Sequence, residues 1–384
     1  MRIRGLVIGT IIVMLAIFLA GCGQAASSAK DQATLSQTPA GQTGVNQTPA
    51  QQTALPPEAL FVAQFTTNQI AVIHLGTGDI VEKIPVGAKP LAIIKSPDQT
   101  KVYVANSGSG DVYQINTSTG EIEAKISMGN QPVAMTINAA GDTLYVLDYY
   151  LNRVSIIDLR LRSMVGYIPL NTFGFEERIE PPDCCTDIFG DPLGAGRKPS
   201  ALVLDEAHGK IYVGNMGTWD IAVIDLQSEK EVQAFDATFG INDLFLDSSA
   251  GNLYISAAGN EEEVNDSILK LSLKGGEKID KLQIGKKPVG MALSPDGQII
   301  HVITQASDGA KLISLRAADG EIIGQCSLAG EPGDIALSED GQRAYITNLL
   351  DGTVLVIDTT DYTVIKIIET GVTPKSLVYI LNDE

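Results

Sequence analysis

One position recurs along this chain. The run LFVAQ at 60–64 returns as VYVAN at 102–106, LYVLD at 144–148 and IYVGN at 211–215, then as LYISA at 253–257, IHVIT at 300–304 and AYITN at 344–348. The second residue of each run is Phe61, Tyr103, Tyr145, Tyr212, Tyr254, His301 and Tyr345, with successive spacings of 42, 42, 67, 42, 47 and 44. A sustained period of this size constrains the fold more than any composition does. Each unit must be one supersecondary element that buries its faces against its neighbours. The one long interval marks an insertion at 172–196.

Other positions keep the register. Pro90, Pro132, Pro199, Pro288, Pro332 and Pro374 each open a short apolar run. Turns follow at SPDQ (96–99), NAAG (138–141), SPDG (294–297) and SEDG (338–341). After the aromatic run come a Gly/Asn loop, a third apolar run such as RVSIIDL (153–159), and a fourth that ends in Gly, as in EIEAKISMG (121–129). Four runs of strand length joined by tight turns read as period-two strands. Four strands per unit of about 40–45 residues predict a β-propeller, which leaves only short edges exposed.

The fold class is therefore all-β, with seven blades of four antiparallel strands. The first unit lacks its opening strand, and TPKSLVYIL at 373–381 is an opening strand without a blade. The C-terminal strand is expected to complete the first blade and close the ring. Blade 5 departs most, since it has no opening Pro and its aromatic run ends in ISAAGN.

The first 57 residues read as an address. Arg2 and Arg4 precede an apolar run from Gly5 to Ala20, which suits a secretory signal and is short for a permanent span. The run ends in Leu19-Ala20-Gly21-Cys22, which resembles the bacterial lipobox. That resemblance implies cleavage before Cys22, acylation of its thiol by a palmitate-like chain, and a domain anchored outside the cytoplasm at the cell membrane or envelope. The division is then 1–21 signal peptide, 22–57 polar tether and 58–384 propeller. Residues 23–57 are rich in Gln, Thr, Ala, Ser, Gly and Pro, too poor in apolar surface to repay the entropy of ordering.

YVAN, YVGN and YITN together with the SPDG turns resemble the YVTN family of bacterial surface and periplasmic propellers, over roughly 58–384. The family implies a seven-bladed ring and a binding or scaffolding role at the cell envelope rather than one fixed reaction.

Composition narrows the partners. A formal charge of −19 opposes duplex nucleic acid, which requires a basic face, and opposes passive adhesion to anionic lipid. In such a ring the inter-blade loops share one face with the loops between second and third strands, and that face is the expected ligand face. The insertion carries Glu176, Glu177, Glu180, Asp183, Asp187 and Asp191 against Arg178 alone. Tyr149, Tyr150, Trp219, Glu261, Glu262, Glu263 and Asp266 lie in loops of the same face. Acids interleaved with aromatics suit a cationic partner. The plainer alternative is solvated loop tips and aromatics that pack the insertion onto the ring. Lys89, Lys198 and Lys287 each precede an opening Pro, with Arg197 and Lys286 beside two of them. They suit an anionic ligand at the channel mouth, or simply local acids.

Cys184 and Cys185 are adjacent and Cys326 lies in an outer strand, so no pairing between them and Cys326 is expected. Consecutive Cα atoms about 3.8 Å apart fall short of the usual disulfide span, so a Cys184–Cys185 bond would be strained. A soft metal or thiol exchange at the pair stays open, and no other cofactor is expected. None of the three His falls on the ligand face, which leaves no candidate base for Ser–His–Asp chemistry. The reading is a monomeric, non-catalytic binding or scaffold propeller with an unidentified protein or small-molecule partner. The alternatives are a lactonase-like hydrolase at the channel mouth using Asp243 and Asp334, and a metal or thiol carrier using Cys184 and Cys185.

Overall fold

The computed structural model describes residues 54–170 and 197–381, apart from 249, 260–263 and 308. Among these, seven four-stranded antiparallel sheets account for nearly all regular structure, and the one helical turn is the 3-10 segment Glu206–His208. The inner strands are Pro90–Lys95, Pro132–Ile137, Pro199–Asp205, Ile241–Asp247, Pro288–Leu293 and Pro332–Leu337 for blades 2 to 7. Blade 1 takes its inner strand from the C-terminus. Pro374–Leu381 pairs with Glu58–Gln64, followed outward by Gln69–His74 and Ile80–Pro85. The expected closure is present, and blade 5 keeps the four-strand order without its proline.

The burial pattern follows from stacking blades face to face. The second strand of blade 2, Lys101–Asn106, is buried at every residue after the first, because neighbouring blades cover both sheet faces. By contrast, the outer strand of blade 5, Lys278–Gln283, buries only Leu282. The core is accordingly divided into seven apolar clusters, one per junction. At the closing junction, Tyr345, Val354 and Val356 of blade 7 pack on Leu60, Val62, Leu377 and Tyr379 of blade 1. The rings of Tyr345 and Tyr379 stack there at 5.7 Å.

The SPDG-type segments are hairpin turns. The hydroxyl of Ser294 donates to Asp296 and accepts the N–H of Ile299 at 2.9 Å, and Ser96 and Ser338 repeat the pattern. His301 takes the repeat-Tyr position inside the sheet, 2.8 Å from the hydroxyl of Ser314, and burial lowers its pKa to about 4.

The first and last described residues belong to one side of the ring. Glu58 pairs with Leu381, and the N–H of Leu55 donates to the carbonyl of Ser118, in a turn between third and outer strands. Inner strands begin at the opposite side. Among the described residues no helix is long and apolar enough to cross a membrane.

Truncating Leu377 to Ala at the closing junction should cost about 2–5 kcal/mol in urea unfolding, the usual price of a buried Leu. Deleting residues 374–384 should abolish the single cooperative transition altogether. A truncated chain that unfolds like the intact one would refute closure by this strand.

Candidate functional site: the axial cavity

Every inner strand is one residue too long for its partner near its start. Register jumps pass over Leu91, Val133, Ser200, Asn242, Val289 and Lys375, while in blade 7 the jump takes in Gly333 and Asp334. A bulge bends the strand and re-aims the extra side chain. Here all the bulged residues line one cavity of about 450 Å³, which receives residues from all seven inner strands and so surrounds the ring axis. Tyr149, Met216 and Leu349, each just past the end of a second strand, and Gln305, within the last residues of the second strand of blade 6, also line it. The cavity thus sits at the side of the ring where inner strands begin.

Its wall is divided. Blades 2 to 4 contribute Leu91, Ile93, Val133, Met135, Leu202 and the ring of Tyr149. Blades 5 to 7 and blade 1 contribute Asn242, Asp243, Gln305, Glu331, Asp334 and Lys375. On that polar side, side chains stitch one inner strand to the next. Asn242 donates to the carbonyl of Pro288 at 3.2 Å, and Gln305 donates to that of Pro332. The Asp243 carboxylate accepts the N–H of Leu244 at 2.8 Å and, across the junction, that of Met291 at 3.1 Å. Asp334 repeats this with Ile335 and Leu377 and also accepts the Ser376 hydroxyl at 2.6 Å.

The two carboxyls differ in their surroundings. Burial, reinforced by the charge of Asp334, pushes Asp243 up to about 7, and its backbone donors only partly offset this. Burial raises Asp334 as well, opposed by Ser376, its backbone donors and Lys375. The Lys375 ammonium is lowered by burial against the pull of Asp334 and Glu331. Asp334 therefore has a cation beside it; among the described residues, none acts on Asp243.

Sequence reasoning singled out Asp243 and Asp334, and the structure brings them into one cavity. It missed Lys375, whose only signal was its place after the opening Pro374. Lys89, Lys198 and Lys287 are not among the residues that line the cavity. Each has left-handed backbone, at φ 53°, 47° and 56°, and each carbonyl accepts an N–H from the far end of the second strand of its blade, from Ser107, Met216 and Gln305 in turn. Arg197, offered with them as an anion ligand, is instead buried and ion-paired. It donates to Asp220 and, at 2.6 Å, to Glu231, both at the far strands of its own blade. Breaking such a pair is expensive, because the remaining charges stay buried.

Tyr149 is buried against the cavity, with Tyr150 edge-on at 5.2 Å and exposed to solvent. Trp219 does not line the cavity. It packs edge-to-face on Phe239 at 4.9 Å and has φ 60°, in the turn position occupied by Gly110 and Gly352 elsewhere. Its indole N–H is buried without an acceptor. Cys22, Cys184, Cys185, Glu261, Glu262 and Glu263 lie outside the described residues. Among the described residues, no three His, Cys, Asp or Glu side chains converge as a metal site.

No family model matches the sequence, and no curated protein sequence matches it. Solved structures do resemble it. A functionally unknown protein from Desulfotomaculum acetoxidans aligns with a TM-score of 0.66 at 12% identity, covering 85% of this chain and 99% of that one. The periplasmic gluconolactonase of Pseudomonas aeruginosa aligns at 0.62 and 16%, covering 84% and 99%. Hydrazine synthase of Kuenenia stuttgartiensis aligns at 0.61 and 17%, covering 75% and 89%. At these identities the likeness establishes the propeller fold and nothing of the chemistry.

Asp243 binds its proton more tightly in the fold than in an unfolded chain, where Asp titrates near about 3.9. Its contribution to stability is full below about pH 4 and is lost as pH rises through about 7. The melting temperature of Asp243→Asn minus that of the wild type should therefore grow more positive across that window. A constant difference would show that Asp243 titrates as an ordinary carboxyl.

Proposed function

We propose that this chain is an exported, lipid-anchored member of the YVTN-type propellers that binds a small ligand in its axial cavity without transforming it. The observation that carries this reading is the two-sided cavity: an apolar wall from three blades facing a polar wall from four. Small-ligand sites are commonly largely apolar pockets of about 300–1,000 Å³ with a few fixed polar groups. Asp243 and Asp334 already hold backbone N–H groups of adjacent blades, which makes them part of the frame. The three His all stand away from it. The surrounding loop face, with Lys89, Lys198, Lys287, Tyr150 and Trp219, would supply secondary contacts to a larger partner.

A hydrolase is the second reading. What favours it is a carboxyl held near neutrality beside a second carboxyl, together with the fold shared with a gluconolactonase. Filling the cavity separates the readings from each other. Small molecules released on denaturing the purified full chain should be present for the wild type and absent for Ala134→Trp. Neither protein should turn over a panel of lactones. Turnover that disappears in Asp243→Ala would transfer the site to the hydrolase reading, and no release with no turnover would remove the cavity as the site.

Anchoring has its own test. Cells fed labelled palmitate should incorporate it into the wild type, and Cys22→Ser should lose both the label and the membrane fraction. An unlabelled wild type in the soluble fraction would refute the lipid anchor.

A further inference from the structure

The cavity holds three carboxyls, Asp243, Glu331 and Asp334, and one ammonium, Lys375. Lys375 acts on Asp334 and Glu331 in blade 7, whereas Asp243 in blade 5 has two backbone donors and the like charge of Asp334, and no cation among the described residues acts on it. An ionised carboxyl facing a pocket without a counter-charge is costly, and a protein without a ligand avoids the cost by keeping the proton. Across the cavity from Asp243, blades 2 and 3 offer Leu91, Val133, Met135 and Tyr149, which carry no charge at neutral pH, while blade 1 carries Lys375 toward Asp334. Asn242 beside it is already spent on the Pro288 carbonyl, so this sector of the polar wall is acceptor-rich.

We infer that the axial cavity takes an amphipathic organic cation, with its ammonium against Asp243 and its apolar body on the wall of blades 2 to 4. The inference rests on the binding reading given above and names the ligand class for that site. Lys375 sets the polarity, because it acts at the Asp334 end and leaves Asp243, among the described residues, without a cation acting on it. A cation there replaces the proton that Asp243 otherwise keeps, so binding and deprotonation are linked. No bond is made or broken apart from that proton's release to solvent.

Arylalkylammonium ions and their neutral alcohol isosteres are suitable probes, titrated calorimetrically into the full-length protein in detergent. The cation should bind more tightly than its isostere. Its affinity should fall about tenfold per pH unit below about 7 and level off above. Near pH 6, buffers of different ionisation enthalpy should report release of close to one proton per cation bound. Asp243→Asn should erase both the preference for the cation and the proton release. The proton count on the wild type stands even if that variant folds poorly.

Cation and isostere binding equally, without proton release, would overturn the cation assignment while leaving the binding reading intact. Tight, pH-independent binding of the cation that persists in Asp243→Asn would overturn the role of Asp243. If no probe of either kind binds and Ala134→Trp releases the same small molecules as the wild type, the cavity reading itself fails.

Discussion

The pairing of Pro374–Leu381 with Glu58–Gln64 turns a row of blades into a ring. Until those two strands meet there is no axis, and the inner strands do not face one another. The same pairing fixes the register at Lys375, which is bulged out of the ladder and placed in the cavity near Asp334. Closure and site are therefore one event. The strand that closes the ring supplies the cation that distinguishes one end of the polar wall from the other.

The seven junctions differ in what they put at the axis. Away from it, all are apolar clusters of the same kind. At the axis, junctions from blade 4 round to blade 1 are stitched by side chains: Ser200 on the carbonyl of Ile241, Asn242 and Asp243 on blade 6, Gln305 on blade 7, and Asp334 on blade 1. The remaining junctions set apolar side chains there. Hydrogen bonds formed in a half-buried wall resist water better than exposed ones, and they hold strand tips in fixed relation. The division of the cavity wall is thus a division in how the ring is fastened.

Fold and site were legible to different degrees, for a physical reason. The recurring Tyr, the opening Pro and the C-terminal strand express burial and turn chemistry, which act locally and leave their mark on nearby residues. They gave blade number, strand order and closure. A bulge is a property of two strands together, so nothing in PKSLV says that Lys375 leaves the ladder toward the axis. Arg197 misled for the same reason: its partners Asp220 and Glu231 come from strands further along the chain, and only folding brings them to it. The lysines before Pro90, Pro199 and Pro288 share a left-handed backbone and an engaged carbonyl, which the sequence shows only as a recurring Lys-Pro pair. Asp243 and Asp334 are legible from their place in the opening strands of blades 5 and 7, where the other blades carry Ala, Gly or Ser.

A strand that enters a ring as its second member begins where the inner strand ends. The segment before Glu58 therefore approaches from the side of Leu381 and Ser118, behind the ring as seen from the cavity. Among the described residues the entering chain therefore adds nothing to the cavity, whose lining comes from the inner strands and the strand ends beside them.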